Sequence, residues 1–399
     1  MSGDKLISFI VTVYNKEQFI NRCLKSLNEL NKFKEFKNKF EILAVNDCSS
    51  DSSFEKLQSW ETKISNLRLI NNKKNIGVSK SRNLGIAKSR AKYLFFIDAD
   101  DHIISKNFKQ IIRDKKIFKE DLLIFYNTIL VNKFLTIPKI KKTQSKSIFG
   151  SIENTTNSTR WNVWKFLFSR EFLLKKKIFF KEDLYQNEDW IFIAETVSKK
   201  PKYSLIKKHL YCYNHNLDKS LTIKILKKNF FNSIKTYYYL NKINSNEYSK
   251  KLLGLMLKEI IAILLSDAFL IKKKEIVSYT KKYSFLKKIL KKNITYRYQI
   301  SKNNKKLLIF CAGRLGRILT SFLSKKQIGK KIIIDQNPGL CNTKYNKFII
   351  KDFIFFLKNK KIFTNYNFVI CNLDTKVSKL IKKKIITSNI HSDRIITFK

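Results

Sequence analysis

The sequence predicts an α/β fold built on a parallel sheet, and three observations support this prediction. Apolar runs of strand length alternate with segments whose apolar residues recur at helical spacing. Small polar residues cluster between the two kinds of segment, as they do in turns. The chain has 399 residues and is 44% hydrophobic, which is enough for more than one packed core. Such alternation favours parallel strands, and ligands then bind at the edge where the strands end.

The N-terminal region follows this alternation from its first residues. An apolar strand is predicted at 6–13, and a helix with apolar residues at helical spacing follows at 16–30. A second strand at 40–46 ends in the polar turn N-D-C-S-S-D, which suits the start of another helix. A third strand at 67–70 precedes a helix at 75–87 that is rich in small residues. The polar turns after these strands are therefore expected at one edge of the sheet.

The fourth predicted strand carries the densest cluster of acidic side chains. Residues 93–102 read Y-L-F-F-I-D-A-D-D-H, so an apolar run leads directly into Asp98, Asp100 and Asp101. Two unit charges ~4 Å apart repel by roughly 4 kcal/mol at an effective dielectric of about 20. A divalent cation such as Mg²⁺ or Mn²⁺ relieves this repulsion and keeps coordination positions for phosphate oxygens. The alternative is that the acids cap a helix or form a turn.

The charge balance restricts the classes of partner. The formal net charge is +51, from 82 basic and 31 acidic residues. Lysines are spread through every segment, and few of the basic residues are arginines, which read guanines and phosphates in two-pronged contacts. A general compositional bias is therefore favoured over nucleic-acid binding. A basic face held against anionic lipids is the second interpretation.

The cysteines and the apolar stretches indicate a cytoplasmic location. Six cysteines occur without any C-x-x-C pair, so neither a zinc site nor a disulfide framework is predicted. The first residues run into a strand without the pattern of a signal peptide. The longest later apolar stretch, 260–271, contains Ser266 and Asp267 and is too short to span a bilayer. A peripheral position on the inner face of the membrane stays open.

Five short motifs follow one another along the first half of the chain. They are V-T-V-Y-N-K-E (11–17), V-N-D-C-S-S-D (45–51), N-I-G-V-S-K-S-R-N-L-G (75–85), F-I-D-A-D-D (96–101) and N-E-D-W (187–190). Together they resemble the family 2 glycosyltransferases with a GT-A fold, over about residues 5–220. The resemblance implies a Rossmann-like domain, a nucleotide-diphospho-sugar donor with a UDP-sugar favoured, a divalent metal, and inversion at the anomeric carbon. The family's usual D-D-G-S turn appears here as N-D-C-S.

The resemblance also assigns roles to the residues at the strand ends. Tyr14 would pack on the nucleobase, and Asp47 would accept a hydrogen bond from its ring N–H. Asp98 would reach the ribose or the metal, while Asp100 and Asp101 would ligate the metal that bridges the diphosphate. The alternatives are an ordinary strand-end aromatic for Tyr14 and a helix cap for Asp47.

Two further residues are candidates for binding the donor or the metal. Arg82 either reaches the donor phosphates from its helix or lies in solvent, and the solvated interpretation is favoured. His215 stands in Y-C-Y-N-H-N, where some relatives carry a histidine or arginine that contacts metal or phosphate. The alternative for His215 is a structural side chain beside tyrosines.

The N-E-D-W motif is the predicted source of the catalytic base. An acceptor hydroxyl must lose its proton as it attacks the anomeric carbon, and a carboxylate is able to take that proton. By resemblance Asp189 is the base, and Glu188 is its positioning neighbour or the alternative base. The competing interpretation is a pair of acids that interacts with the N-terminus of a helix.

The remainder of the chain predicts two further regions. Residues 223–303 show apolar residues at three- and four-residue spacing, which predicts a helical region. Residues 304–399 resemble a small Rossmann-like module with a strand, a glycine turn and a helix. Gly313, Gly316 and Asp335 would form a second nucleotide site there, although a structural or assembly role is favoured.

The sequence therefore predicts a metal-dependent glycosyltransferase with its GT-A domain at 1–222. Its acceptor is expected to be a hydroxyl of a bacterial-type surface glycan or of a lipid-linked saccharide, on family analogy alone. Two alternatives are a sugar-nucleotide-binding protein without catalysis and a basic nucleic-acid-binding protein. Donor turnover excludes the first, and salt-sensitive binding of oligonucleotides without turnover indicates the second.

Overall fold

The structure is a computed structural model. It describes residues 5–113, 118–131, 134–136, 161–215, 227–247, 249–267, 283–287, 291, 307–310, 332–334, 344–345, 348–363, 366–371, 375–387, 390 and 392–397. The chain divides into two compact units, which are Met1–Lys224 with Lys235–Leu257 and Ile225–Ile234 with Lys258–Lys399. The division into 1–222, 223–303 and 304–399 stays a prediction.

One large mixed sheet forms the first unit. In the described residues its strands are β1 (Lys5–Val13), β2 (Phe40–Asn46), β3 (Leu67–Asn71), β4 (Ala91–Asp98), β5 (His102–Ile103), β6 (Leu122–Val131), β7 (Phe134–Thr136), β8 (Phe166–Ser169) and β9 (Tyr203–His215). Their spatial order is β3-β2-β1-β4-β8-β6-β9-β5, and β7 pairs with β6. Strands β3, β2, β1 and β4 are parallel, whereas β8 runs antiparallel to both β4 and β6.

Helices connect these strands along the chain, and they are α1 (Ile20–Asn28), α2 (Ser53–Glu61), α3 (Val78–Lys88), α4 (Ser105–Arg113), α5 (Arg170–Lys175) and α6 (Glu188–Ser198). Two longer helices, α7 (Lys227–Lys242) and α8 (Lys250–Asp267), follow β9 in the sequence. No helix in the described ranges is both long and apolar enough to cross a membrane.

The central strands form because their sequences suit burial on both faces. All seven residues of β2, F-E-I-L-A-V-N, are buried, as expected for a parallel strand covered on each side by helices. Helix α3 approaches β1 closely at Gly85, where an added Cβ would overlap the Ile10 side chain. Phe9 of β1 and Phe95 of β4 contact edge to face, with ring centroids 5.8 Å apart. The rigid core that results fixes the strand ends, where the predicted site lies.

The second unit contains a smaller sheet. Its described strands are β10 (Leu307–Phe310), β11 (Ile332–Ile334), β12 (Lys344–Tyr345), β13 (Phe348–Lys351), β14 (Asn367–Ile370) and β15 (Ile395–Thr397), with helices α9 (Phe353–Lys358) and α10 (Thr375–Ile386). The order is β12-β13-β11-β10-β14-β15, and only the described pair of β12 with β13 is antiparallel. Gly313, Gly316 and Asp335 lie outside the described residues, so the second nucleotide site stays a prediction.

Candidate active site

The register of the parallel strands places the predicted site residues along one edge of the large sheet. Val13 pairs with Asn46, and Thr12 pairs with Asp98, so β1, β2 and β4 end together. Tyr14 and Asp47 each follow directly on their strands. The structure thus brings Tyr14, Asp47 and Asp98 to a common rim, which is where parallel sheets bind ligands.

The acidic turn after β4 holds its three aspartates in different environments. The Asp101 amide donates to the Asp98 carbonyl at 2.9 Å, and Arg22 Nη2 donates to the Asp100 carbonyl at 2.8 Å. Asp101 is 1% exposed, and its two oxygens accept from Tyr211 Oη at 2.5 Å and the Asn214 amide at 2.7 Å. Burial raises the pKa of Asp101, and the neighbouring charges of Asp100 and Asp98 raise it further. This geometry favours Asp101 as a support of the turn.

Asp98 and Asp100 remain the acids with access to a ligand. Their side chains are 34% and 30% exposed, and each has a cation on one oxygen. Arg82 Nη2 lies 2.9 Å from Asp98 Oδ1, and Lys16 Nζ lies 2.5 Å from Asp100 Oδ2. Within the described ranges, no three His, Cys, Asp or Glu side chains come together as ligands of one metal ion. Mg²⁺ sites for phosphorylated ligands often use one or two carboxylates plus the phosphates, so the donor chemistry of Asp98 and Asp100 fits.

Arg82 is buried in the middle of a carboxylate cluster, so its favoured solvated position is wrong. Only 3% of Arg82 is exposed. Its Nη1 donates to Glu188 Oε1 and to Asp189 Oδ1, both at 2.7 Å, and its Nη2 donates to Asp98 Oδ1. Burial lowers the pKa of Arg82, but Asp189, Asp98 and Glu188 raise it more, so Arg82 stays charged. Its guanidinium also lies over the Phe180 ring at 5.2 Å.

Asp189 lies at the start of α6 with both oxygens engaged. Oδ1 accepts from Arg82, and Oδ2 accepts from the Val163 amide at 3.2 Å. Burial raises the pKa of Asp189; Arg82 opposes this shift, and the charges of Glu188 and Asp98 add to it. One guanidinium faces three acids, so the cluster keeps an excess of negative charge. A carboxylate with a raised pKa is a stronger base than an exposed one.

Helix α3 holds the segment that leads into α6. The Ser79 hydroxyl donates to the Leu184 carbonyl at 2.9 Å. The Asn83 side chain pairs with the Phe180 backbone in both directions, at 3.0 and 2.9 Å. These contacts bridge about 100 positions of sequence and fix the position from which α6 begins.

Helix α7 holds the same segment from another side. The Lys235 ammonium lies 3.1 Å from both the carbonyl and the Oδ2 of Asp183. Tyr239 Oη donates to Asp183 Oδ1 at 2.8 Å. Burial, together with this hydrogen bond, raises the pKa of Tyr239 to about 12. The helix that follows the large sheet is thereby tied to the segment that carries the predicted base.

The predicted nucleobase residues differ in exposure. Tyr14 is 48% exposed at the end of β1, as a stacking platform requires. Asp47 is 4% exposed and accepts from the Ile76 and Gly77 amides, both at 2.8 Å, and from Asn72 Nδ2 at 3.0 Å. Gly77 has a φ of +87° at the start of α3. Asp47 thus orders the loop beside the rim, and its contact with a base stays a prediction.

The N-D-C-S turn keeps the backbone shape that a glycine usually supplies. Cys48 has a φ of +58°, in the left-handed region that non-glycine residues seldom adopt. The Asn46 side chain accepts from the Ser49 hydroxyl at 2.6 Å and donates to Asn71. These contacts hold the turn although cysteine replaces glycine.

Three residues of this rim were not singled out from the sequence. Lys16 and Arg22 bind the side chain and the carbonyl of Asp100, and Tyr211 bridges Asp101 and the Asp98 amide. Three clustered acids require nearby cations. This requirement alone could have indicated from the sequence that basic residues such as Lys16 and Arg22 lie beside them. His215 ends β9, but its side chain lies outside the described residues, so its role stays a prediction.

Comparison with known proteins identifies the region that carries the acidic turn after β4 and the ends of β1 and β2. Residues 8–124 match the model of the family described as Glycosyl transferase family 2. This segment is similar to glycosyltransferase family 2. The structure is similar to residues 1–349 of Staphylococcus aureus TarS, solved with UDP-GlcNAc, with a TM-score of 0.51 and 18% identity over 80% of this chain and 84% of that one. This similarity shows a GT-A fold, which confirms the predicted fold of the N-terminal region.

Curated relatives are similar to about half of this chain. The uncharacterized glycosyltransferase EpsJ of Bacillus subtilis is 26% identical over 53% of this chain and 61% of its own length. The processive diacylglycerol beta-glycosyltransferase of Mycoplasma genitalium is 28% identical over 46% of this chain and 57% of its own. The poly(ribitol-phosphate) beta-glucosyltransferase of Bacillus spizizenii is 28% identical over 52% of this chain and 32% of its own length. The chain thus spans about half the length of the curated relatives it matches.

Proposed function

We propose that this protein is an inverting glycosyltransferase that transfers a sugar from a UDP-sugar to an acceptor hydroxyl. One observation carries the proposal. Arg82 joins Asp98, an acid of the predicted metal site, to Asp189, the predicted base. A single buried side chain therefore sets the spacing between the two groups that such a transfer needs.

Asp189 acts as the general base in this proposal. Its carboxylate takes the proton of the acceptor hydroxyl, and the acceptor oxygen forms a bond to the anomeric carbon. The bond from that carbon to the diphosphate oxygen breaks, and its electron pair leaves with UDP. Base and leaving group lie on opposite faces of the sugar, so the configuration inverts and no covalent intermediate forms.

Asp98 and Asp100 would hold a Mn²⁺ or Mg²⁺ ion, which offsets the charge that grows on the leaving diphosphate when it is bound. Arg82 holds Asp98 in place, and the hydrogen bonds of Asp101 to Tyr211 and Asn214 hold the turn that carries both acids. Tyr14 stacks on the nucleobase beside the loop that Asp47 orders. The UDP-GlcNAc complex of TarS, a structure of the same fold, supports UDP as the carrier.

The acceptor class follows from the relatives. One of them is named for diacylglycerol and another for poly(ribitol-phosphate), a lipid and a surface polymer. We propose a hydroxyl of a surface glycan or of a lipid-linked saccharide, with the reaction on the cytoplasmic side of a membrane. The net charge of +51 supports contact with anionic lipids. Flotation with neutral and anionic vesicles tests this contact, and equal binding to both would contradict it.

The direct test of function compares Asp189→Asn with the unchanged protein. We expect the full chain to release UDP from UDP-glucose or UDP-GlcNAc in the presence of Mn²⁺ and an acceptor panel. Asp189→Asn should lose at least ~10²-fold of this turnover and keep its affinity for UDP, because the base contributes to chemistry and not to nucleotide binding. Glu55→Gln, an exposed acid on α2, is the matched control and should leave turnover unchanged.

Two results would contradict parts of this proposal. Full turnover by Asp189→Asn would remove Asp189 as the base. UDP binding without turnover of any donor by the unchanged protein would instead favour a sugar-nucleotide-binding protein without catalysis.

A further inference from the structure

The ion pair between Lys16 and Asp100 engages one carboxylate oxygen of the proposed metal site. Lys16 Nζ lies 2.5 Å from Asp100 Oδ2, and the two side chains are each 30% exposed. Asp100 is one of the two acids whose donor chemistry fits a divalent cation. An ammonium group and a divalent cation repel each other, so they compete for the same carboxylate oxygen.

The backbone of Lys16 is fixed by a neighbouring turn. The Lys16 amide donates to Ser53 Oγ at 2.8 Å, and the Glu17 amide donates to Asp51 Oδ2 at 3.1 Å. Asn15, with a φ of +52°, accepts from the Ser50 amide at 2.8 Å. The root of the side chain is therefore held at the rim, and only the flexible four-carbon stem is free to redirect the ammonium group.

Lys16 and Arg82 differ in what their partners allow. Arg82 is buried, and its two terminal nitrogens together contact three acids, so it keeps its position when a ligand arrives. Lys16 pairs with a single acid, and both side chains are partly exposed to solvent, where ion pairs contribute less and exchange more readily than buried ones. A nucleoside diphosphate on the rim would offer the displaced ammonium a stronger partner than solvent.

We propose that Lys16 is a displaceable counter-cation of Asp100 that moves to the donor diphosphate when a divalent cation binds. This inference rests on the proposed function, because it uses the same metal site. Before the donor binds, Lys16 neutralises Asp100 and limits the repulsion within the acidic turn. After the donor binds, Lys16 contacts the diphosphate and adds to its affinity.

Calorimetry with UDP and Mn²⁺ tests this proposal without any turnover. In Lys16→Met, the Mn²⁺ concentration that half-saturates UDP binding should fall by about fivefold, because a competing cation is gone. The dissociation constant of UDP at saturating Mn²⁺ should rise by about tenfold, because a charged contact to the diphosphate is lost. Lys25→Met removes an exposed lysine of α1 and should change neither value, which separates a local effect from one of net charge.

Two outcomes overturn the role of Lys16. The first is an unchanged Mn²⁺ requirement in Lys16→Met. The second is a lower Mn²⁺ requirement with unchanged affinity for UDP, which would make the pair a simple salt bridge. Asp100→Asn reports on the metal site itself and should raise the Mn²⁺ requirement. If Asp100→Asn has no effect, the metal site of the proposed function fails and the role of Lys16 fails with it.

Discussion

Two cations pair with carboxylates of the acidic turn after β4, and their surroundings are opposite. Arg82 is buried and contacts Asp98, Glu188 and Asp189, whereas the Lys16 side chain is 30% exposed and pairs with one acid, Asp100. A buried ion cluster is costly to break, because each partner left behind is an unpaired charge in a poorly solvated place. An exposed pair is exchangeable, because water replaces either partner. The buried cluster around Arg82 therefore suits the positioning of Asp98 and Asp189. The exchangeable pair of Lys16 and Asp100 suits the binding and release of a ligand.

The largest expected effect comes from removing Arg82 from the buried carboxylate cluster. Arg82→Met leaves three carboxylates without their cation, so we expect a loss of about 3–5 kcal/mol in the free energy of unfolding. Turnover should fall with it, because Asp189 loses the contact that orients it. Urea denaturation and UDP release measure the two quantities.

Lys32→Met is the control for this change. Lys32 pairs with Glu29 at an exposed position, with side chains 69% and 37% exposed, so its removal should shift the denaturation midpoint far less. Equal shifts for the two variants would contradict the contrast between a buried and an exposed pair.

A milder change of the same cluster should move the pH dependence of turnover. Glu188 raises the pKa of Asp189 through its charge, so Glu188→Gln should lower that pKa. A general base must be deprotonated, so activity is gained as the pH rises through its pKa, and the acidic limb of the profile should move to lower pH. Turnover measured across buffers of constant ionic strength checks this shift. If Glu188 were the base itself, activity would be lost at every pH.

The smallest expected effect comes from a residue that does not contact the acid cluster itself. Tyr239→Phe removes the hydrogen bond to Asp183, which α7 uses to hold the segment before α6. Such a bond contributes about 1 kcal/mol, so we expect kcat to fall about threefold with unchanged affinity for UDP. Tyr238→Phe, on the exposed neighbouring tyrosine, is the control. A change in UDP affinity without a change in kcat would contradict a positioning role for Tyr239.

The central strands of the large sheet were predictable because burial on both faces requires a continuous run of apolar residues. The runs predicted at 6–13, 40–46 and 67–70 became β1, β2 and β3 within one residue at each end. The motif order also placed Tyr14 and Asp47 at strand ends of the same rim. Strand β8 shows where prediction from local sequence fails. It lies antiparallel between β4 and β6, and no local sequence pattern reveals such a position.

The partners of the charged residues were not predictable for a related reason. Arg82 is separated by 106 and 107 residues from Glu188 and Asp189. In a chain with so many basic residues, nothing in the local sequence distinguishes a buried arginine from one that lies in solvent. The D-A-D-D run does not reveal which acid turns inward. That choice is made by Tyr211 and Asn214, which reach Asp101 from β9 across 110 and 113 positions. Contacts of this range depend on the completed fold.

A crystal structure of the full chain with UDP and Mn²⁺ tests the central claim most directly. We expect an anomalous manganese peak in contact with Asp98 and Asp100, Arg82 still on Asp98 and Asp189, and the Lys16 ammonium on the diphosphate. A manganese peak away from both acids, or UDP bound at another surface with this rim unchanged, would contradict the proposed site.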